Sequence, residues 1–244
     1  MKKEKPYIGC SSYTTLSWKY LFYPEELSKN KWFDYYCKHF NTYELNSTFY
    51  RFPTVKTLSN WYNKTPEDFM FSVKVPKLIT HIHKFENCKE EIAKFYAICH
   101  EGLRDKLGCV LFQLPPSFSY TTAKLELIIN SLDPGFKNVV EFRNESWWRE
   151  DVFKTIRKKN ITLCSVSYPG LPSIILQTAK IGYVRMHGNP NLFYSKYDIE
   201  TINTLKKETA NKYFEEVYIY FNNTASTAAI INALELKELI KIHK

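Results

Sequence analysis

Apolar and polar positions along this chain follow two alternating rhythms. Short strand-like runs recur near residues 7–11, 42–48, 70–75, 109–114, 138–143, 162–167, 182–188 and 217–223; they are rich in β-branched and aromatic residues and bounded by turn formers. Between them lie longer segments with apolar positions three or four apart, the spacing of an amphipathic helix. Residues 24–40 open with Pro24, Glu25 and Glu26 and place Phe33, Tyr36 and Phe40 at helical spacing, which predicts a helix with an acidic first turn. Residues 53–66 are bracketed by prolines, residues 87–108 end at Gly108, and residues 146–160 open at Ser146, a good N-cap. Residues 195–211 and 224–242 supply two further helices. Strand and helix in alternation imply parallel strands joined by right-handed crossovers.

Eight units in 244 residues match a TIM-type (β/α)8 barrel, whose usual size is about 250 residues. The expected fold is therefore α/β, one barrel domain over residues 1–244, with an irregular sixth unit: residues 168–181 are too broken by proline and glycine for a helix and predict a loop or an extra short strand. An open, doubly wound sheet is the alternative, but no G-x-G-x-x-G or Walker sequence follows a strand.

Charges on these strands are placed unevenly. Residues 139–148, VVEFRNESWW, begin like a buried strand and then set Glu141 and Arg143 two apart, on one face. In a barrel one face meets the helices and must be apolar, while the inner face can turn polar at the carboxyl ends, where barrel active sites lie. The alternation turns Glu44, Asn46 and Thr48 inward on the second strand, Glu141 and Arg143 on the fifth, and Tyr183, Arg185 and His187 on the seventh. It adds Ser11, Ser72, Lys74, Gln113, Tyr218, Tyr220 and Asn222 from the others. Glu44 and Glu141 then face Lys74, Arg143 and Arg185, a formal charge near +1 with His187 neutral. A self-compensating network that only plugs the barrel is the competing reading, but every charge falls in the last part of its strand.

Composition narrows the classes. Net charge is +9, yet only six of the 34 basic residues are Arg and many Lys sit on helix faces, so charge alone is weak evidence for nucleic acid. No run approaches the eighteen or more apolar residues of a membrane span, and the charged start, MKKEKPYIGC, has no secretory apolar region, so a cytoplasmic protein is expected. Six scattered cysteines without a C-x-x-C predict reduced thiols.

The ordered motifs FNTYELNSTFYRFP, ITH, LFQLPPSF, VVEFRNESWW, YVRMHG and VYIYFNN resemble the YecE-like family, a domain of unknown function. The resemblance runs from YIGCSSY to NALEL and implies a TIM-type barrel whose polar strand ends line the site, with no implied activity. The chain departs from the family pattern in its first motif, at Ser167 and Tyr168 where the family often has an Asp, at Asn144 in place of a His, and at Thr224 where an Asp is common. Two possible acids are missing, which leaves this site more cationic.

The chemistry expected from these residues is oxyanion binding, because Arg offers a fork to carboxylate or phosphate and Lys a point charge. Glu141 is the first candidate for a general base, with Glu44 and His187 as further acid–base candidates; Ser11, Asn46, Thr48, Lys74, His81, Gln113, Arg143, Arg185, Tyr220 and Asn222 would bind the substrate. The resulting expectation is an enzyme, of hydrolase or lyase type, acting on a small anionic or phosphate-bearing ligand. No cofactor and no metal are expected: His81 and His83 form an H-x-H, but the pattern is frequent by chance. A glycosidase using Glu44 and Glu141, and a nucleotide or nucleic-acid binding module presenting Phe49, Tyr50 and Arg51, are the alternatives.

Overall fold

The structure is a computed structural model that describes residues 5–241. Residues 1–4, which begin the charged start, and residue 242, the expected end of the last helix, lie outside them. Among the described residues, nine parallel strands are arranged in two sheets. Strands β1 (Lys5–Cys10), β7 (Ser165–Ser167), β8 (Ile181–Met186) and β9 (Glu216–Phe221) form one, in the order β1-β9-β8-β7. Strands β2 (Thr42–Leu45), β3 (Met70–Lys74), β4 (Leu107–Gln113), β5 (Lys137–Glu141) and β6 (Thr162–Leu163) form the other, in sequence order. The expected α/β alternation is present, but the closed eight-stranded ladder is not: the sheets have four and five strands, and among the described residues no backbone pairing joins them.

The physical reason lies at two seams. Residues 162–167, expected as one strand, are split at Cys164: β6 pairs with β5 and β7 with β8. The Cys164 N–H still donates to Val140 O. At the other seam side chains stand where ladder bonds would be. Tyr36 Oη accepts from Cys10 N (2.8 Å) and donates to Thr42 O (3.0 Å), while Asn41 accepts from Ile8 N and donates to Pro6 O. These bonds satisfy edge groups that would otherwise be buried without partners. Close approach here demands a glycine: a Cβ at Gly9 would lie 2.4 Å from Thr42 O and 2.7 Å from Tyr36 Oη. Gly9→Ala is expected to destabilise by about 1–3 kcal/mol, the usual penalty of overpacking, read as a lowered urea midpoint; an unchanged midpoint would mean that the seam yields freely.

Helices cover the outer faces of the strands. They are α1 (Trp32–His39), α2 (Ser47–Tyr50), α3 (Val55–Asn63), α4 (Lys89–Leu103), α5 (Thr122–Ser131), α6 (Glu150–Lys158), α7 (Ile199–Ala210) and α8 (Ala228–Lys241). Several expected boundaries move. The first helix starts at Trp32 rather than at Pro24, because residues 24–31 form turns and a 3-10 segment; there Leu27 O accepts from Trp32 Nε1. The fourth ends at Leu103 rather than at Gly108, which lies inside β4. The sixth begins at Glu150; Ser146 sits instead in a 3-10 turn capped by Asn144. Helix α5, absent from the sequence reading, carries a Thr121 N-cap that accepts from Lys124 N. As expected, residues 168–180 form no helix; a cavity of about 340 Å³ there is floored by Val166, Val184 and Met186 and edged by α7.

Alternation along the strands separates two cores. Outward residues such as Phe71, Val73, Val110, Phe112, Val140, Val184 and Ile219 join the helices in the larger one. Inward residues from both sheets, including Tyr7, Cys109, Leu111, Val139, Tyr183, Tyr218 and Tyr220, share a second cluster. All six cysteines are free thiols. No helix of the described residues is long and apolar enough to cross a membrane.

Candidate functional site

Above the inner apolar cluster, toward the carboxyl ends of the strands, the inward side chains become charged and meet. Arg185 reaches across from β8 and divides its guanidinium between two strands of the other sheet: Nη2 donates to Glu44 Oε1 of β2 (2.7 Å) and Nη1 to Glu141 Oε2 of β5 (2.6 Å). All three side chains are at most 1% exposed. Desolvation of this kind is tolerable only where the charges are paired and their remaining lone pairs are used.

They are used. Glu44 Oε1 also accepts from Ser11 Oγ (2.7 Å) and Asn46 Nδ2 (3.1 Å), and Oε2 from the Tyr183 hydroxyl (2.6 Å). Glu141 Oε1 accepts from Arg143 Nε (2.7 Å) and lies 3.2 Å from His187 Nε2. Burial by itself would raise both carboxyls, but Arg185 and the hydrogen bonds to Glu44 leave that group below its ordinary value; Arg185, Arg143 and His187 take Glu141 well below. A carboxylate so saturated is a weak base. Their contribution to stability is present above the ordinary glutamate pKa of about 4.3 and is lost as pH falls through the lowered values.

His187 is completely buried, and burial takes its pKa to about 4 despite the opposing pull of Glu141. It is therefore neutral at pH 7, and its partners fix the tautomer. Nε2 faces the acceptor-only Glu141 carboxylate, so it carries the proton, while Nδ1 accepts from Asn222 Nδ2 at 2.8 Å. The longer 3.5 Å approach of Arg185 Nη1 to Nε2 then brings two donors together and adds no bond.

Two cationic groups lie above this network with their ends unengaged. Arg143 is held by its Nε on Glu141 and by its guanidinium lying over the Tyr168 ring (5.0 Å); its Nη1 and Nη2 meet no acceptor among the described residues. Its side chain is 12% exposed. Lys74 ends β3 with Nζ 3.9 Å from the centre of the Phe49 ring and no carboxylate within ion-pair distance among the described residues. Burial, followed by Arg185 and Arg143, lowers its pKa to about 7 against the opposing pull of Glu141 and Glu44. His81 packs edge-on to Phe49 and lies next to Thr80 Oγ1 and Gln113 Nε2; burial, Lys74 and Arg143 bring it to about 4.

Eleven of the thirteen sequence-predicted site residues thus converge: Ser11, Glu44, Asn46, Lys74, His81, Gln113, Glu141, Arg143, Arg185, His187 and Asn222. Two serve elsewhere. Thr48 Oγ1 lies 2.9 Å from Leu45 O and 2.5 Å from Lys74 O, tying α2 to β3, and Tyr220 bonds Thr42 and Ser72 lower in the interior. His83, the second residue of the H-x-H, is exposed. The sequence reading faced Tyr183 inward without giving it a site role, and it missed Tyr168 as a platform. The spacing of Tyr183 from Arg185 was the available signal; Tyr168 lies past the end of β7, where period-two facing no longer applies.

The chain as a whole is similar to known proteins. Residues 7–244 match the family model described as Protein of unknown function DUF72. The UPF0759 protein YecE of Escherichia coli K12 is 29% identical over 114 residues; the match spans 46% of this chain and 42% of YecE, so less than half of that relative is covered. A crystal structure of a DUF72 family protein from Thermotoga maritima superposes with a TM-score of 0.88 at 29% identity, over 98% of this chain and 100% of that one. One from Enterococcus faecalis gives 0.81 at 20% identity over 99% of each, a likeness of fold.

Proposed function

We propose that this chain, which belongs to the DUF72 family of proteins of unknown function, is an enzyme that takes a small carboxylate- or phosphate-bearing ligand at the carboxyl ends of its strands. The two sheets are read as halves of one (β/α)8-type barrel. The shared inner cluster and the side-chain bonds across the seam support that reading.

The observation that carries the proposal is Arg143. A guanidinium fixed on one edge by Glu141 and on its face by Tyr168, with two nitrogens left to donate, is pre-set for the two oxygens of an oxyanion. Lys74 supplies a second positive group close by. Glu44 and Glu141 act in this reading as anchors that hold Arg185 and Arg143 in place, and Lys74, near neutrality, is the better proton carrier. Both carboxylates held ionised leave a glycosidase without its general acid.

Thermal-shift measurement against inorganic phosphate, small carboxylates and sugar phosphates tests this. A ligand at 100 times its Kd adds about 2.7 kcal/mol, or about 5–10 °C for a chain of this size. Arg143→Ala is expected to lose about 1.5–3 kcal/mol of affinity, roughly tenfold to a hundredfold, with a small change in the unliganded melting temperature. Failure of every small anion, with steeply salt-dependent binding of single-stranded nucleic acid instead, would favour a nucleic-acid module.

A further inference from the structure

We propose that Lys74 is a catalytic amine that forms an imine with the carbonyl group of a small oxo compound whose carboxylate or phosphate is held by Arg143. This rests on the anion-binding reading above and names its substrate class, 2-oxo acids and phosphorylated aldehydes or ketones.

Lys74 stands at the inner end of β3, where the polar residues of seven strands converge, and is 9% exposed. Phe49 covers one side of its Nζ at 3.9 Å, a surface that suits an iminium as well as an ammonium. The charged groups that act on it are Arg185 of β8, Glu141 of β5, Arg143 just beyond it and Glu44 of β2, with His81 beside them from the turn after β3. The two carboxylates are already spent on Arg185 and Arg143. Buried, and then set among arginines with no carboxylate of its own among the described residues, Lys74 has a large neutral fraction near pH 7. A neutral amine is the nucleophilic form, and desolvation beside another cation is a recurrent way of producing it.

The step balances without a further reagent. The amine nitrogen adds to the carbonyl carbon, a C–N bond replacing the C=O π bond. Both amine protons pass to the oxygen, which leaves as water. Protonation of the imine from solvent gives an iminium, which draws electrons from the adjacent carbon and so lowers the barrier to removing a proton or breaking a C–C bond there. Arg143 holds the anionic end one group away.

Reductive trapping tests the proposal. The full chain is incubated with pyruvate, glyoxylate or glyceraldehyde 3-phosphate and sodium borohydride at pH 7, then mapped by peptide mass spectrometry. The expected result is one adduct per chain at Lys74, absent in Lys74→Arg and reduced several-fold in Arg143→Ala. Glyceraldehyde, which lacks the anion, labels far more slowly. Equal labelling of many surface lysines, or no adduct with any of the three, would overturn it. Thermal shift with inorganic phosphate separates the two readings: phosphate stabilisation without an adduct leaves the anion site standing and removes the imine, and the absence of both removes both. Lys74→Met, melted alongside, shows whether the fold survives loss of the amine.

Discussion

Replacing Arg185 by Met is expected to destabilise the protein by about 3–5 kcal/mol, the usual result of removing one partner from a buried ionic group. For a chain of this length that lowers the melting temperature by roughly 6–20 °C. Arg185 is the common partner of two carboxylates that are 0% exposed and that come from different strands of the sheet facing its own. Without it Glu44 keeps only neutral donors, and Glu141 keeps Arg143 and His187. The pH dependence separates this mechanism from simple misfit. In the parent protein the lowered carboxyls contribute stability above the ordinary glutamate pKa of about 4.3, lost as pH falls. In the variant burial raises Glu44, so that group contributes most below its ordinary pKa and loses that contribution as pH rises. The gap between the two proteins is therefore widest near neutrality and narrows toward pH 4 to 5. A gap independent of pH would show that Arg185 matters through its volume and not its charge.

Trp147→Ala is expected to cost about 3–5 kcal/mol, the range for truncating a buried aromatic residue. Trp147 is completely buried between two rings, Phe142 at 4.0 Å with planes 3° apart and Phe118 at 5.6 Å and 5°. Its Nε1 donates to Phe118 O at 2.6 Å. The indole clamps the turn after β5 onto the segment after β4, and Arg143 leaves β5 just before that turn. Anion affinity in the variant, measured well below its melting temperature, should fall along with stability, because Arg143 loses the frame that presents its two open nitrogens. Trp148→Ala, on a half-buried neighbour, provides the comparison. Equal and small effects of the two would mean that the turn holds its shape without the stack.

The alternating pattern of the strands was legible because it is a local property. Side chains two apart share a face whatever the sheet does, so Glu44, Glu141 and Arg185 could be turned inward from sequence alone. The helices were legible in number more than in extent, and Thr122–Ser131 was missed. Gly108 read as a helix stop, although it lies inside β4 where Phe71 O and Tyr218 press on it. Pro24, Glu25 and Glu26 read as a helix start, although the rings of Phe22, Tyr23 and Trp32 pack on one another and lead the chain through turns there.

What the sequence determined by itself was therefore the α/β alternation, the parallel strands and the identity of the inward polar residues, each of which follows from backbone periodicity and the cost of burying charge. Tertiary structure alone decided which charges pair. It gave both carboxylates to Arg185, left Lys74 with an aromatic face and no carboxylate, and opened the sheet at Cys164 and beside Tyr36. Those choices depend on distances between strands far apart in the chain, and in a buried site a shift of an ångström decides whether a charge has a partner, and so whether a lysine or a glutamate carries the proton.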